Sequence, residues 1–264
     1  MAARTAAVGP GGLVRQRLRV PGRARRHGGH SSWLDSAGER SRVAYVTTVQ
    51  DDEQIADVSE TIAATRILPV VVLEDAAAAP ALAAALTAGG LRAIEVTFRT
   101  AAAADAIRAM SERTDLLVGA GTVLTPAQVD EAADAGARFV VSPGFSPAVV
   151  RHCQQRGLPV FPGAATATEI QMALDAGLTT VKFFPAEQLG GVKMIKALAA
   201  PFRSVKFIPT GGVNTGNLAD YLAVPAVLAV GGTWMVAPAL LADGQWDEVT
   251  RLTAAAVEAS RPPA

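Results

Sequence analysis

The chain has one cysteine, Cys153, among its 264 residues, and only three histidines, His27, His30 and His152. A lone thiol cannot close an intrachain disulfide or furnish a thiolate metal cluster, a usage that fits a reducing cytoplasm. Beyond residue 42 His152 stands alone, so a His-rich zinc site or a Ser-His-Asp triad has almost no material. We expect neither a metal nor a cofactor. Long apolar runs are missing too: Ile67 to Leu73 is broken by Pro69 and Leu222 to Val230 by Pro225. A membrane span needs roughly 20 uninterrupted apolar residues, so we expect a soluble protein with no membrane partner. No Gly-x-Gly-x-x-Gly or Walker loop follows an early strand, which removes the usual nucleotide fingerprints. Half of the residues are nevertheless hydrophobic and only 18% are charged, a balance that excludes a wholly solvated chain.

The formal net charge of zero conceals a division. Residues 1–42 hold nine arginines against two acids, Asp35 and Glu39, for +7; residues 43–264 hold fifteen basic residues against twenty-two acids, for −7. The first stretch contains Gly9-Pro10-Gly11-Gly12 and the cluster Arg23, Arg25, Arg26, His27, with no hydrophobic period and no apolar core for a secretory signal. We read residues 1–48 as an Arg-rich, disordered extension and 49–264 as the folded domain. Arginine-rich segments can bind nucleic acid or address an organelle, but aromatics other than Trp33 are absent before residue 45, and no nucleic-acid partner is expected.

From residue 66 onward, β-branched runs recur every 20 to 26 residues, separated by segments long enough for a helix. The strand candidates are 67–73, 93–98, 116–119, 139–142, 159–161, 180–184, 206–210 and 227–230. The helices that follow them are expected to start at Pro80, Thr100, Thr125-Pro126, Ser146-Pro147, Thr168, Gly191, Asn214 and Trp246. Proline in a first turn is favourable because its missing N–H has no helical partner there. Gly89-Gly90, Gly136, Gly157 and Gly177 stand where helix ends call for a left-handed residue. One further helix, over 51–64, precedes the first strand. Eight strand-helix units with strands apolar on both faces imply parallel pairing buried by helices, and right-handed crossovers then allow a closed (β/α)8 barrel of the α/β class. The length suits it, since such barrels take about 250 residues.

Barrels carry their reactive groups at the C-terminal ends of the strands. In the second strand Glu95, Thr97 and Arg99 alternate onto one face. In the sixth, Lys182, one of only four lysines, stands between β-branched and aromatic neighbours. An ammonium has no inexpensive place in a central strand. Two readings stay open: a structural ion pair with Glu95, or a lysine that loses its proton and attacks carbonyl carbon, the resulting imine drawing electrons from an adjacent bond. A second constellation is Thr210-Gly211-Gly212 after the seventh strand and Gly231-Gly232-Thr233 after the eighth. Paired glycines can be plain turns, or they can bring backbone N–H groups close to an anion where barrels often hold phosphate.

At these residues the chain resembles the 2-keto-3-deoxy-6-phosphogluconate (KDPG) and 4-hydroxy-2-oxoglutarate aldolase family of class I enzymes. The resemblance runs from about residue 60 onward. It rests on Ile94 to Thr100, Val118 to Leu124, Ser142-Pro143-Gly144, Val181 to Glu187, Pro209 to Gly212 and Gly231 to Trp234. It implies that Lys182 forms the imine and that Glu95 is the general acid/base, while Arg99 and Thr122 bind the pyruvate carboxylate. Pro143, Thr166 and Phe184 would line the pocket around the three-carbon unit, with Gly211, Gly212, Gly232 and Thr233 on the phosphate. Threonine at 233, where many members carry serine, keeps the hydroxyl and narrows the space. The implied reaction cleaves KDPG into pyruvate and glyceraldehyde 3-phosphate, in a cytoplasmic homotrimer. 4-Hydroxy-2-oxoglutarate, the phosphogalactonate epimer, or a catalytically silent barrel that binds phosphometabolites are the alternatives.

Overall fold

In the computed structural model, the structure describes residues 49–261; the expectation for 1–48 lies outside them. The apolar runs form eight short strands: β1 (Ile67–Val71), β2 (Ala93–Thr97), β3 (Leu117–Gly121), β4 (Val140–Val141), β5 (Val160–Phe161), β6 (Thr180–Phe183), β7 (Lys206–Pro209) and β8 (Val230–Gly232). Every pairing is parallel. One ribbon runs β5-β4-β3-β2-β1-β8 and a second pairs β6 with β7. Isolated parallel bridges join the two: Gly163 to Lys182 on one side, Phe207 to Val227 and Thr210 to Gly231 on the other. The circuit of eight strands therefore closes, as the expected barrel requires.

Helices α2 (Ala79–Ala88), α3 (Ala103–Ser111), α4 (Pro126–Asp134), α5 (Pro147–Gln155), α6 (Ala167–Asp175), α7 (Gly191–Ala199) and α8 (Leu218–Leu222) follow β1 to β7 in turn, and α9 (Pro238–Ala242) and α10 (Trp246–Ser260) follow β8. Their starts are specified locally. Thr125, Ser146 and Thr166 each accept a hydrogen bond at the side-chain oxygen from an N–H of the first turn, and proline follows at once in α4 and α5. Their ends repeat one device. In α2, α4, α5 and α6 a left-handed glycine (Gly90, Gly136, Gly157, Gly177) lets the next residue donate five positions back: Leu91 to Leu86, Ala137 to Ala132, Leu158 to Cys153 and Leu178 to Ala173.

Some boundaries differ from the sequence reading. The eighth strand is displaced to Val230–Gly232, because Val227 makes only a single bridge to Phe207 while Val230 to Gly232 pair with β1. The third extends to Gly121, glycines being poor strand signals. Helix α6 begins one residue after Thr166 rather than at Thr168. Helix α8 begins at Leu218, not Asn214.

The outward strand residues pack under the helices, whereas the inward ones divide the barrel interior into two zones. At the N-terminal end Leu68, Ala93, Phe139, Val141, Phe161, Ile208 and Ala229 pack with Val58 and Ile62 of α1 (Val49–Thr65), which plugs that mouth. Phe139 and Phe161 meet edge to face, centroids 5.8 Å apart. Gly119 leaves the room for this: a Cβ there would run into the Phe139 ring. Gly119→Ala should thus overpack the floor and destabilise the fold by about 1–3 kcal/mol, read as a lower urea midpoint; an unchanged midpoint would mean the ring has space to retreat.

Candidate active site

Above the apolar floor the interior turns polar. Glu95, on the inward row of β2 between Ala93 and Thr97, meets Lys182 from β6: Lys182 Nζ donates to Glu95 Oε1 at 3.0 Å and to Oε2 at 3.3 Å. Their side chains are only 1% and 4% exposed respectively. Two features make the meeting possible. Gly121, inward on β3, has no side chain where a Cβ would strike the Glu95 carboxylate. The Lys182 backbone is fixed from the other side, its N–H donating to Pro162 O and its carbonyl accepting from Ala164 N, both at 2.9 Å. The Phe184 ring lies 5.8 Å from the ammonium, within range of a cation–π attraction. A carboxylate and an amine at this separation, screened from water, can pass a proton between them without any rearrangement.

The other residues singled out in the sequence lie at or just past the C-terminal ends of the strands. Arg99, just past β2, is exposed and donates through Nε to Thr122 Oγ1 at 3.3 Å. Thr122 holds a φ of 57°; a β-branched residue in the left-handed region is strained by roughly 1–2 kcal/mol, so its presence at a strand end marks a constrained position. Pro143 follows β4, where its carbonyl passes so close to Gly163 that no side chain fits between them. Gly163 in turn bridges to Lys182, which ties Pro143 to the lysine's strand. Thr166 is the outlier of the set: exposed, it caps α6, its hydroxyl donating to Glu169 Oε2 at 2.9 Å while accepting from Glu169 N at 3.3 Å.

The paired glycines occupy adjacent strand ends. Gly211 and Gly212 have φ of 97° and 82°, and Gly211 lies against Phe184 and Pro185. Gly231 faces the Thr210 hydroxyl and Gly232 the Trp234 indole so closely that neither tolerates a Cβ. Thr233 is exposed beside them. Residues overlooked by the sequence reading are Gly121 and Gly163, whose need for glycine depends on neighbours distant in the chain. Glu187, Asn214 and Asn217, which bind the Gly211-Gly212 turn, were missed too; the cluster Asn-x-x-Asn just after the glycines was the available signal.

Two other polar clusters among the described residues are built differently. A cavity of about 510 Å³ at the opposite, N-terminal end is lined by Arg92, Arg113, Arg138, Asp57 and Asp115 among others. Arg113 is already committed there to Asp115, at 2.7 Å, and to Thr87; it also holds the Asp115 carboxyl below the usual range. His152 pairs with Asp130 at 2.9 Å on the helical shell. Among the described residues no three His, Cys, Asp or Glu side chains converge as a metal site would need, and no described helix is long and apolar enough to cross a membrane.

Comparison with known proteins converges on one family. The family described as KDPG and KHG aldolase matches residues 58–252. The 2-dehydro-3-deoxy-phosphogluconate aldolase of Treponema pallidum is 54% identical over 195 residues, covering 74% of this chain and 93% of the relative. Among solved structures, the KDPG aldolase of Legionella pneumophila, with pyruvate captured as a covalent carbinolamine, superposes with a TM-score of 0.73 at 40% identity, covering 75% and 97% of the two chains. The Zymomonas mobilis ZM4 enzyme with 3-phosphoglycerate gives 0.68 at 39% identity, covering 76% and 99%.

Lys182→Met would strand a buried carboxylate and should cost about 3–5 kcal/mol in urea unfolding, most of it returned in Lys182→Met/Glu95→Leu; equal losses in both would locate the cost elsewhere. Cys153 supplies a second measurement. It is fully buried, and burial pushes its thiol from 9.0 up to about 12, so the folded chain keeps a proton that the unfolded chain loses. That contribution is complete below pH 9 and lost as pH climbs to about 12. The stability gap between the natural chain and Cys153→Ala should narrow over this window; a constant gap would contradict it.

Proposed function

The chain belongs to the KDPG and KHG aldolase family, and from that premise we propose how it works: it is a class I aldolase, a lyase that cleaves KDPG to pyruvate and glyceraldehyde 3-phosphate through an imine on Lys182. The buried Lys182–Glu95 pair, 3.0 Å apart, is the observation that carries this reading. Glu95 takes a proton from the ammonium, and the freed amine attacks the C2 ketone. The carbinolamine loses water as Glu95 returns the proton to the departing hydroxyl. The protonated imine then draws the electron pair of the C3–C4 bond as the C4 hydroxyl passes its proton to the Glu95 carboxylate, so that the aldehyde leaves and an enamine remains beside a protonated Glu95, the proton source for C3. Protonation at C3 and hydrolysis release pyruvate and restore the lysine.

Arg99 and Thr122 take the substrate carboxylate: a guanidinium offers the two-pronged contact that a lysine would not reproduce, and its bond to Thr122 holds it at the rim. Pro143 and Phe184 form the walls around the three-carbon unit, and Thr166, its hydroxyl engaged with Glu169, contributes at most its edge. Gly211, Gly212, Gly232 and Thr233 receive the phosphate through backbone N–H groups and one hydroxyl. Two glycine turns at neighbouring strand ends favour a phosphorylated substrate over 4-hydroxy-2-oxoglutarate, which would leave them unused. The proposal includes a cytoplasmic homotrimer, for which exposed Leu124, Met172 and Met194 offer apolar surface.

Borohydride reduction in the presence of pyruvate is expected to leave one pyruvate-derived adduct per chain, mapped to Lys182 by peptide mass. An unmodified Lys182 would exclude the imine. Glu95→Gln should still form the adduct while turnover drops by about two to four orders of magnitude, the usual contribution of a general acid/base; undiminished turnover would remove Glu95 from its role.

A further inference from the structure

The Gly211-Gly212 turn is held by residues that have no part in the reaction as described above. Both of its carbonyls are tied. Gly211 O accepts from Glu187 N at 3.1 Å. Gly212 O accepts from two side-chain amides, Asn214 Nδ2 at 3.0 Å and Asn217 Nδ2 at 3.1 Å. The two asparagines are themselves locked together: Asn217 Oδ1 accepts from Asn214 N at 2.8 Å, and Asn214 Oδ1 accepts from Gly216 N at 2.8 Å. A planar trans peptide points its N–H opposite to its C=O. Fixing the carbonyls of Gly211 and Gly212 therefore fixes where the N–H groups of Gly212 and Val213 aim, and neither of these finds an acceptor among the described residues.

Asn217 makes this arrangement at the expense of a nearby duty. It is the N-cap of α8, where an asparagine normally uses its side chain on the first-turn N–H groups, yet it makes no such bond; its amide serves the glycine turn instead. The side chain of Glu187 also lies against the turn through its Cγ, 2.5 Å from where a Cβ on Gly212 would be, while its carboxylate reaches Gly191 and Tyr221. The Tyr221 hydroxyl donates to that carboxylate from a buried position. Burial and the neighbouring charge both raise the phenol's affinity for its proton, which keeps it a donor.

We propose that Asn214 and Asn217 are positioning residues that preorganise the glycine turn as an anion cradle, and that this clamp sets the preference for a phosphorylated over a phosphate-free 2-keto acid. The inference rests on the phosphate reading given under Proposed function and extends it to residues that touch no substrate atom. Preorganised N–H donors bind an anion without reorganising when it arrives, whereas a free diglycine turn would have to be ordered first.

The test compares kcat/KM for KDPG and for 4-hydroxy-2-oxoglutarate in the full chain, in Asn214→Ala, and in Asn214→Ala/Asn217→Ala. The ratio of the two constants is expected to fall by about 10- to 100-fold in the double variant, through KM for the phosphorylated substrate, the range set by losing donors to an anion. Asn214 is exposed, so its single replacement, with a smaller fall in the ratio, carries the test if the double variant does not fold. An unchanged ratio, or equal losses on both substrates, would overturn the clamp while leaving the phosphate reading in place. If the unaltered chain shows no preference for the phosphorylated substrate and inorganic phosphate does not compete, the phosphate reading falls and the clamp with it.

Discussion

An ammonium and a carboxylate withdrawn from water inside a parallel barrel must compensate each other, and the architecture near them is arranged around that requirement. Desolvating two charges costs several kcal/mol per ion even after relaxation, and an apolar pair of equal volume would usually be as stable or more so. Stability alone therefore gives no reason for Glu95 and Lys182 to be where they are. What the pair does provide is a proton that can cross 3.0 Å in either direction between an amine and a carboxylate kept from water. Gly121 clears the space, and Gly163, squeezed between Pro143 and the lysine's strand, lets β6 close the circuit at that height.

Parallel topology converts that local pair into a site. Because all eight strands run the same way, every strand-to-helix turn opens on one end of the barrel. Residues from β2, β3, β4, β6, β7 and β8 reach a common rim although they are scattered over more than a hundred positions of sequence. The opposite end can then carry the apolar floor, against which α1 packs Val58 and Ile62. On β2 the apolar and polar zones of the interior are separated by a single step: Ala93 belongs to the floor and Glu95 lies above it, two residues apart on one face.

Much of this was legible in the chain itself. The alternation of β-branched runs with capped, glycine-terminated helices located all eight units, because both signals are local: a threonine or serine before proline, and a glycine that must adopt a left-handed conformation. Glu95 and Lys182 could be read because charge inside an apolar run is conspicuous. What escaped is relational. Gly121 is indispensable only because Glu95 arrives opposite it, and nothing in Val118 to Thr122 says so. Val227 looks like a strand residue, yet its run meets β7 through one bridge and the ladder with β1 begins three residues later. Asn214 reads as a helix start; its side chain is spent on a turn instead, and the helix waits until Leu218. Thr168 reads as the start of a helix, and Thr166 caps it from two residues earlier.

The two ends of the substrate proposed here place opposite demands on the protein, and different kinds of structure answer them. Carbon–carbon cleavage needs a proton that moves, which calls for titratable side chains held close and kept from water. A phosphate keeps its charge throughout and needs donors that do not move, which backbone N–H groups supply when their peptide planes are fixed. Inward strand positions supply the titratable side chains, whereas here the backbone turn is held through bonds to its carbonyls. On the proposal made above, the side chains that govern how well an anion is held are therefore Asn214 and Asn217 behind the turn, with the backbone N–H of Glu187 bonding its other carbonyl. Thr122 follows the same logic at the end proposed for the carboxylate: it accepts a left-handed backbone at a steric cost that a loop free to relax would have shed, and in doing so it gives Arg99 a fixed partner.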